Sequence, residues 1–302
     1  MKKRVAILRG GNSVEREVSL STGHSCSKAL TRLGYNVKSI DTKENFIYEL
    51  IKFKPDVVFN ALHGRYGEDG IIQGFLETLK IPYTHSGVQA SSIAMDKNLA
   101  KICFKEAGIP VVEHIILDES FSLKNIPFKL PYVIKPLAGG SSVDVKILKN
   151  KNDWLPIKNS RNKNKKYLVE PYIPGRELTV STLGNKPLIV TDIISDNWYN
   201  YDAKYNIGAS KHIIPAKIPL DIEKLCLDYA LIAHNKLGCR GVTRTDFRWN
   251  EKLGSKGLFI LELNTQPGMT PTSLVPEQAN FIGMTFEDLC DWLIEDACID
   301  KP

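Results

Sequence analysis

Phe259-Ile260-Leu261-Glu262-Leu263-Asn264, running on to Pro267-Gly268-Met269-Thr270, is an apolar strand signal that carries two oxygen donors into a glycine turn. Side chains alternate faces along an extended strand. Glu262 and Asn264 are therefore expected together on one face, with Leu261 and Leu263 in the core on the other. Upstream, Asp246 of Arg244-Thr245-Asp246 ends an apolar stretch able to pair with this strand. Two carboxylates and an amide oxygen suit a hard divalent cation that also carries substrate phosphates, as magnesium does. By themselves Asp246 and Glu262 read as well as two solvated strand-edge acids, so the rest of the chain has to decide.

With 302 residues the chain exceeds the usual single core, and two or three domains sharing one site are expected. Hydrophobic content of 43% and charged content of 25% argue for an ordinary globular chain and against disorder. The six cysteines are scattered without a CxxC pair or a histidine at zinc-ligand spacing, which reads as reduced thiols. After Met1-Lys2-Lys3-Arg4 only four apolar residues precede Arg9, too few for a signal-peptide core or a membrane span. A cytoplasmic protein with no membrane partner is expected. The net charge of +6 invites a nucleic-acid reading, but Lys158, Lys163, Lys165 and Lys166 cluster in one polar stretch, which reads as a solvated loop. A phosphate-bearing small substrate also suits a moderately basic cleft.

Val5-Ala6-Ile7-Leu8 reads as a strand, Gly10-Gly11 as a turn, Ser19 to Leu33 as a helix and Asp56-Val57-Val58-Phe59 as a second strand, a parallel α/β pattern. Gly10-Gly11-Asn12-Ser13 does not match the GxGxxG fingerprint, which disfavours a dinucleotide-binding dehydrogenase. A second unit is expected from Ser91, with a helix from Asp96 to Ala107 stopped by Gly108-Ile109-Pro110, and strands at Tyr132-Val133-Ile134-Lys135 and Tyr167-Leu168-Val169-Glu170. A third begins near Leu178, with a helix from Asp221 to Leu237 and a last helix after Thr285.

Lys135 ends its strand before Pro136, so its ammonium projects where a phosphate could meet it. The turn Gly139-Gly140-Ser141-Ser142 offers N–H groups and hydroxyls to phosphate oxygens. Glu170, Pro171 and Ile173 then pass where the polar edge of a base could be read, with Glu177 placed to accept from ribose hydroxyls. Each has a plainer reading taken singly, a salt bridge for Lys135 and a solvated acid for Glu170 or Glu177. Their order along one chain is the stronger signal.

The segments Glu15-Arg16-Glu17-Val18-Ser19, Ala61-Leu62-His63-Gly64, Gly67-Glu68-Asp69-Gly70, Met95-Asp96-Lys97, Val133-Ile134-Lys135-Pro136, Gly140-Ser141-Ser142, Tyr201-Asp202-Ala203-Lys204-Tyr205 and Glu262 to Thr270, with Ser273-Leu274-Val275-Pro276 beyond, resemble those of D-alanine:D-alanine ligases of the ATP-grasp fold. The resemblance runs from Val5 to the last helix. It implies an α/β (α+β) chain in three domains: a parallel α/β N-terminal domain over 1–90, a central domain over 91–177 and a C-terminal catalytic domain over 178–302. The nucleotide site falls between the last two.

The resemblance further implies that ATP phosphorylates the carboxylate of one D-alanine and that the amine of a second attacks the acyl phosphate, giving a peptidoglycan precursor. Lys97, Lys135 and Ser142 would bind phosphates, with Glu170, Pro171, Ile173 and Glu177 around adenine and ribose. Asp246, Glu262 and Asn264 would hold two magnesium ions, with manganese as a substitute. Arg244 and the N–H of Gly268 would stabilise developing negative charge. Glu15 would bind the ammonium of the first D-alanine with His63 beside it, and Ser273 and Leu274 would receive the carboxylate of the second. Ser141, Lys204 and Tyr205 match a closing loop, with Lys204 also able to reach the γ-phosphate of ATP, and the family is commonly dimeric. Leu137-Ala138-Gly139 and Asp144 depart from the pattern, the latter standing where glycine is common. The alternatives are a D-alanine:D-lactate ligase or another ATP-grasp carboxylate-amine ligase, with Tyr205 matching the dipeptide makers, and an ATP- or RNA-binding module without catalysis.

Overall fold

The chain alternates strand and helix from its start because its apolar runs are short and separated by glycine turns and amphipathic stretches. The computed structural model describes residues 2–117, 126–140, 143–150, 153, 166–194 and 210–300. β1 (Arg4–Arg9), α1 (Arg16–Arg32), β2 (Asn36–Asp41), α2 (Phe46–Phe53) and β3 (Val57–Asn60) form a parallel sheet in the order β2-β1-β3. Both faces of β1 are covered, as parallel strands require: Val5 and Ile7 pack in one core, Ala6 and Leu8 in the other. α3 (Ile71–Thr78), α4 (Val88–Met95) and α5 (Lys97–Glu106) follow. Asp96 caps α5, its carboxylate accepting from the N–H groups of Asn98 and Leu99 at 2.9 and 3.0 Å, so the helix begins where the sequence places it.

β4 (Ile115–Leu117), β5 (Tyr132–Pro136), β6 (Lys146–Leu148) and β7 (Tyr167–Pro171) make an antiparallel sheet in the order β4-β7-β5-β6. A second antiparallel sheet joins β8 (Arg176–Leu183), β9 (Lys186–Ile194), β10 (Lys211–Ile213), β11 (Val242–Trp249) and β12 (Leu258–Asn264) in the order β10-β9-β8-β11-β12. α6 (Leu220–Lys236) covers one face of it, and α7 (Leu274–Phe281) and α8 (Phe286–Asp296) close the chain. A reciprocal capping box between Thr285 and Asp288 starts α8.

Core sharing between these layers fixes the site. Ala100 and Phe104 of α5 are buried with Leu178, Val180, Phe247, Leu258, Ile260 and Leu263 of the five-stranded sheet. α5 therefore belongs to the packing of one sheet while its lysines reach the other. The β1 face bearing Val5 and Ile7 packs in the same core as Met269, Val275 and Leu289 from the chain's end. Among the described residues no helix is long and apolar enough to cross a membrane.

Candidate active site

Strand periodicity places one polar row on the open face of the five-stranded sheet. On β11, Arg244, Asp246 and Arg248 share a face while Phe247 enters the core. Asp246 lies directly between Thr179 of β8 and Glu262 of β12, and Arg244 lies between Ser181 and Asn264. The Arg244 guanidinium grips Asp246 with both arms, Nε to Oδ1 and Nη2 to Oδ2, each at 2.8 Å. The Thr179 hydroxyl donates to Oδ1 at 2.6 Å and Asn264 Nδ2 to Oδ2 at 3.1 Å.

One expectation for this strand is corrected. The ladder slips between Asp246 and Phe247, so that Phe247 pairs with Ile260 and Asp246 with Glu262, leaving Leu261 as the extra residue of a bulge. Ile260 and Leu263 are both buried in the core, whereas Leu261 lines the cleft beside Glu262. Leu261 does not point into the core, because a bulge adds one residue to the strand and reverses the alternation beyond it. The device re-aims Glu262 at the site.

A cleft opens between the two antiparallel sheets. Lys97, Lys135, Glu170, Pro171, Ile173, Glu177, Asp246 and Glu262 all face it. Lys97 donates to the carbonyl of Gly139 at 2.6 Å and lies 3.6 Å from Glu262, while Lys135 donates to Glu170 Oε1 at 2.5 Å. The turn after β5 is docked on the start of α5: the N–H of Lys97 donates to the Leu137 carbonyl at 3.0 Å, and Asp96 bridges Ala138. Because these ties are made by backbone atoms, the departures at Leu137 and Ala138 leave them intact. Asp144 has a φ of +60°, a left-handed conformation that glycine adopts without steric cost.

Sequence reasoning passed over Arg248, which fastens the turn between the sheets. Its Nε donates to the Ile173 carbonyl at 3.0 Å, its Nη2 to the Tyr172 hydroxyl at 3.1 Å and its Nη1 to Glu177 at 3.3 Å. The signal was present as the next same-face residue after Arg244 and Asp246. Glu68 was passed over as well, although its segment was conspicuous. His63 is buried with Nδ1 3.0 Å from Glu68 and Nε2 2.9 Å from Thr22, whose hydroxyl accepts from the Met269 N–H at 3.4 Å. Glu68 also lines a small recess with Lys97, Gly140, Glu262 and Asn264, so it joins the first glycine turn to the metal-type row.

Glu15 is buried at the start of α1. A Cβ at Gly64 would collide with its carboxylate, and one at Gly140 would come within 3.3 Å. Glycine at both positions lets the first turn, the His63 loop and the phosphate-type turn converge on one carboxylate. A Cβ at Gly268 would lie 2.8 Å from the Ser273 hydroxyl, which accepts from the Thr270 N–H at 2.9 Å. Leu274 is buried beside Ile193, so it can serve a ligand only through its N–H in the first turn of α7. Ser141, Ser142, Lys204 and Tyr205 lie outside the described residues.

The donor set fits a hard cation. Asp246 and Glu262 face each other across the ladder and Asn264 adds an amide oxygen, with Thr179 and Arg244 fixing the orientation of Asp246.

This arrangement agrees with what the chain is similar to. Residues 103–295 match the family D-ala D-ala ligase C-terminus, and residues 49–86 match D-ala D-ala ligase N-terminus. The chain belongs to the D-alanine–D-alanine ligase family. It is 52% identical to the D-alanine–D-alanine ligase of Ruegeria sp. (strain TM1040) over 99% of this chain and 97% of that one. It is 54% identical to the ligase of Cereibacter sphaeroides (strain ATCC 17029) with the same coverage. The crystal structure of the Bacillus anthracis ligase complexed with ATP superposes with a TM-score of 0.82 at 29% identity, covering 97% of each chain. The three-domain ATP-grasp fold follows from that likeness.

Proposed function

We propose that this chain joins two D-alanines to D-alanyl-D-alanine, converting ATP to ADP and phosphate through a D-alanyl phosphate, and so supplies a precursor of peptidoglycan. Membership of the ligase family supports the reaction class. The observation that carries the assignment of roles is the cross-strand pair Asp246 and Glu262, held with Arg244 and Asn264 at one wall of a cleft whose other wall bears Lys97 and Lys135.

Glu15 holds the ammonium of the first D-alanine at the meeting point of Gly64 and Gly140, with His63 packed behind it. The carboxylate of that D-alanine attacks the γ-phosphorus, the bond to the ADP oxygen breaks, and Lys97, Lys135 and Ser142 hold the phosphates in line. The adenine end lies along Glu170, Pro171 and Ile173 with ribose beside Glu177. Two magnesium ions, or manganese in their place, would sit on Asp246, Glu262 and Asn264 and supply neutralisation of the phosphate oxygens. The second D-alanine places its carboxylate on the Ser273 hydroxyl and the Leu274 N–H at the start of α7. Its amine, once deprotonated, attacks the acyl carbon. Arg244 and the Gly268 N–H receive the charge on the tetrahedral intermediate before phosphate departs. Ser141, Lys204 and Tyr205 belong to this reading as the residues that close over the reactants and keep water out.

The division 1–90, 91–177 and 178–302, a homodimer and a cytoplasmic location complete the proposal. Purified protein with ATP and magnesium, offered D-alanine, L-alanine, D-serine and D-lactate in turn, tests it. Phosphate release and condensed product are expected with D-alanine and nearly absent with L-alanine, because with the ammonium on Glu15 and the carboxylate at the γ-phosphate the L enantiomer turns its methyl group the other way. Equal rates with both enantiomers would overturn the reading, and an ester product from D-lactate would favour the alternative ligase.

A further inference from the structure

Lys101 lies one helical turn beyond Lys97 on α5, so both side chains leave the same face of the helix. Lys97 lines the cleft, but Lys101 does not. Lys101 is 1% exposed, and its ammonium donates to the Val112 carbonyl at 3.0 Å and to Glu170 Oε2 at 2.5 Å. Lys135 takes the other oxygen of the same carboxylate. Glu170 is thus gripped from two sides by cations that come from different elements, one from α5 and one from β5.

A lysine buried this deeply is costly unless its partners need it. Two ammonium groups face one carboxylate, so the cluster keeps an uncompensated positive charge. Burial pushes Lys101 down to about 8, against the pull of Glu170. Burial also pushes Glu170 up, but Lys135 and Lys101 together overcome it and hold the acid below its ordinary value. Glu170 therefore stays an ionised acceptor on the cleft wall.

We propose that Lys101 is a positioning residue for nucleotide choice. It keeps Glu170 ionised and fixed, and it lets Lys135 turn toward a phosphate without leaving Glu170 buried and unpaired. An ionised carboxylate accepts from the amino group of a 6-aminopurine and repels the carbonyl oxygen of a 6-oxopurine, so its immobility sets the discrimination between them. Lys101 acts through Glu170 and never touches the nucleotide. The inference rests on the adenine end of the cleft being the one proposed above.

The test is equilibrium binding of ATP and of inosine triphosphate, with magnesium and without any amino acid. The proteins are wild type, Lys101→Met, Lys101→Gln, Glu170→Gln and the Lys101→Met, Glu170→Gln double variant. Lys101→Met should lose about tenfold in ATP affinity with much less change for inosine triphosphate, so that the preference for ATP falls. In the Glu170→Gln background the same substitution should leave the preference unchanged within about twofold, since the effect runs through Glu170. Lys101→Gln, which keeps a hydrogen-bond donor and is the gentler change, should lower the preference in the same direction if Lys101→Met is unstable. Equal losses for both nucleotides with the preference intact would show a packing role and overturn the inference. A full Lys101 effect in the Glu170→Gln background would overturn it as well. Wild-type protein that binds neither nucleotide would overturn the nucleotide-site reading and this inference together, whereas the other two failures leave the site reading standing.

Discussion

The two walls of the cleft solve the same problem, holding charge near a polyphosphate, in opposite ways. On the β11 and β12 wall, Arg244, Asp246, Glu262 and Asn264 are ladder partners, and Asp246 is held by Arg244 and Asn264 beside it in the sheet. On the other wall, Lys97 and Lys101 from α5, Lys135 from β5 and Glu170 from β7 meet only because α5 packs under one sheet and reaches the other. The first wall is local geometry, with Asp246 buried and Glu262 partly open to the cleft. The second is tertiary geometry, and its charges are buried. Substitutions on the first should therefore act on turnover, and substitutions on the second on nucleotide affinity and on stability.

The largest expected effect tests the first half of that contrast. Glu262→Gln removes one carboxylate from the donor set while keeping its size and its strand. Turnover should fall by roughly a hundredfold or more, about 3 kcal/mol in the barrier, because a hard cation between phosphates depends on ligand charge. Stability should change by less than about 1 kcal/mol, since the pair with Lys97 is 3.6 Å long and Glu262 is partly open to solvent. Steady-state rates at saturating magnesium and a urea unfolding curve check both. Near-normal turnover would return Asp246 and Glu262 to ordinary strand-edge acids.

The second wall should instead reveal itself in the pH dependence of stability. The folded pKa of Glu170 is lowered to about 2, burial raising it and Lys135 and Lys101 lowering it more. A depressed carboxylate contributes stability that is complete above its unfolded value, about 4.3, and is lost as pH falls toward the folded one. Between pH 5 and pH 3 this one group should remove on the order of 1–2 kcal/mol of unfolding free energy. The Lys101→Met, Glu170→Gln double variant should lack that component of the acid limb. Unfolding free energies of both proteins across this window decide the point, and parallel acid limbs would mean that the buried cluster is not what the low pH attacks.

What could be read in the sequence follows the same division. Alternation in Phe259 to Asn264 placed Glu262 and Asn264 on one face, because the period of a strand is local. The bulge at Leu261 was illegible, since a slip in register depends on how Phe247 and Ile260 pack and leaves no residue signature. Lys135 was legible at its strand end before Pro136 and Lys97 through similarity, but Lys101 was not, because nothing near it in the chain says that Glu170 will be opposite. Glu68 and Thr22 were missed for that reason too: they meet only through the buried ring of His63. The helix starts at Asp96 and Thr285 were readable because caps are local chemistry.

The smallest effect concerns the loop that belongs to the second wall and departs from the family pattern. Asp144, at a φ of +60°, stands between Val143 and Val145, which line the cleft. A left-handed conformation costs an ordinary residue about 1–2 kcal/mol, but less for aspartate, whose short polar side chain can bond locally. Glycine removes that cost and adds roughly 0.5–1 kcal/mol of unfolded-chain freedom. The two terms nearly cancel, so Asp144→Gly should leave unfolding free energy within about 0.5 kcal/mol and the KM for ATP within about twofold. Asp144→Val, a branched side chain that resists positive φ, should cost at least about 1 kcal/mol and raise the KM for ATP, because strain there displaces both valines. If Asp144→Gly instead lowered the KM for ATP severalfold, the backbone account would fail. Asp144 would then be hindering the approach of phosphate by its charge, and the second wall would be governed by electrostatics at its rim rather than by its buried lysines.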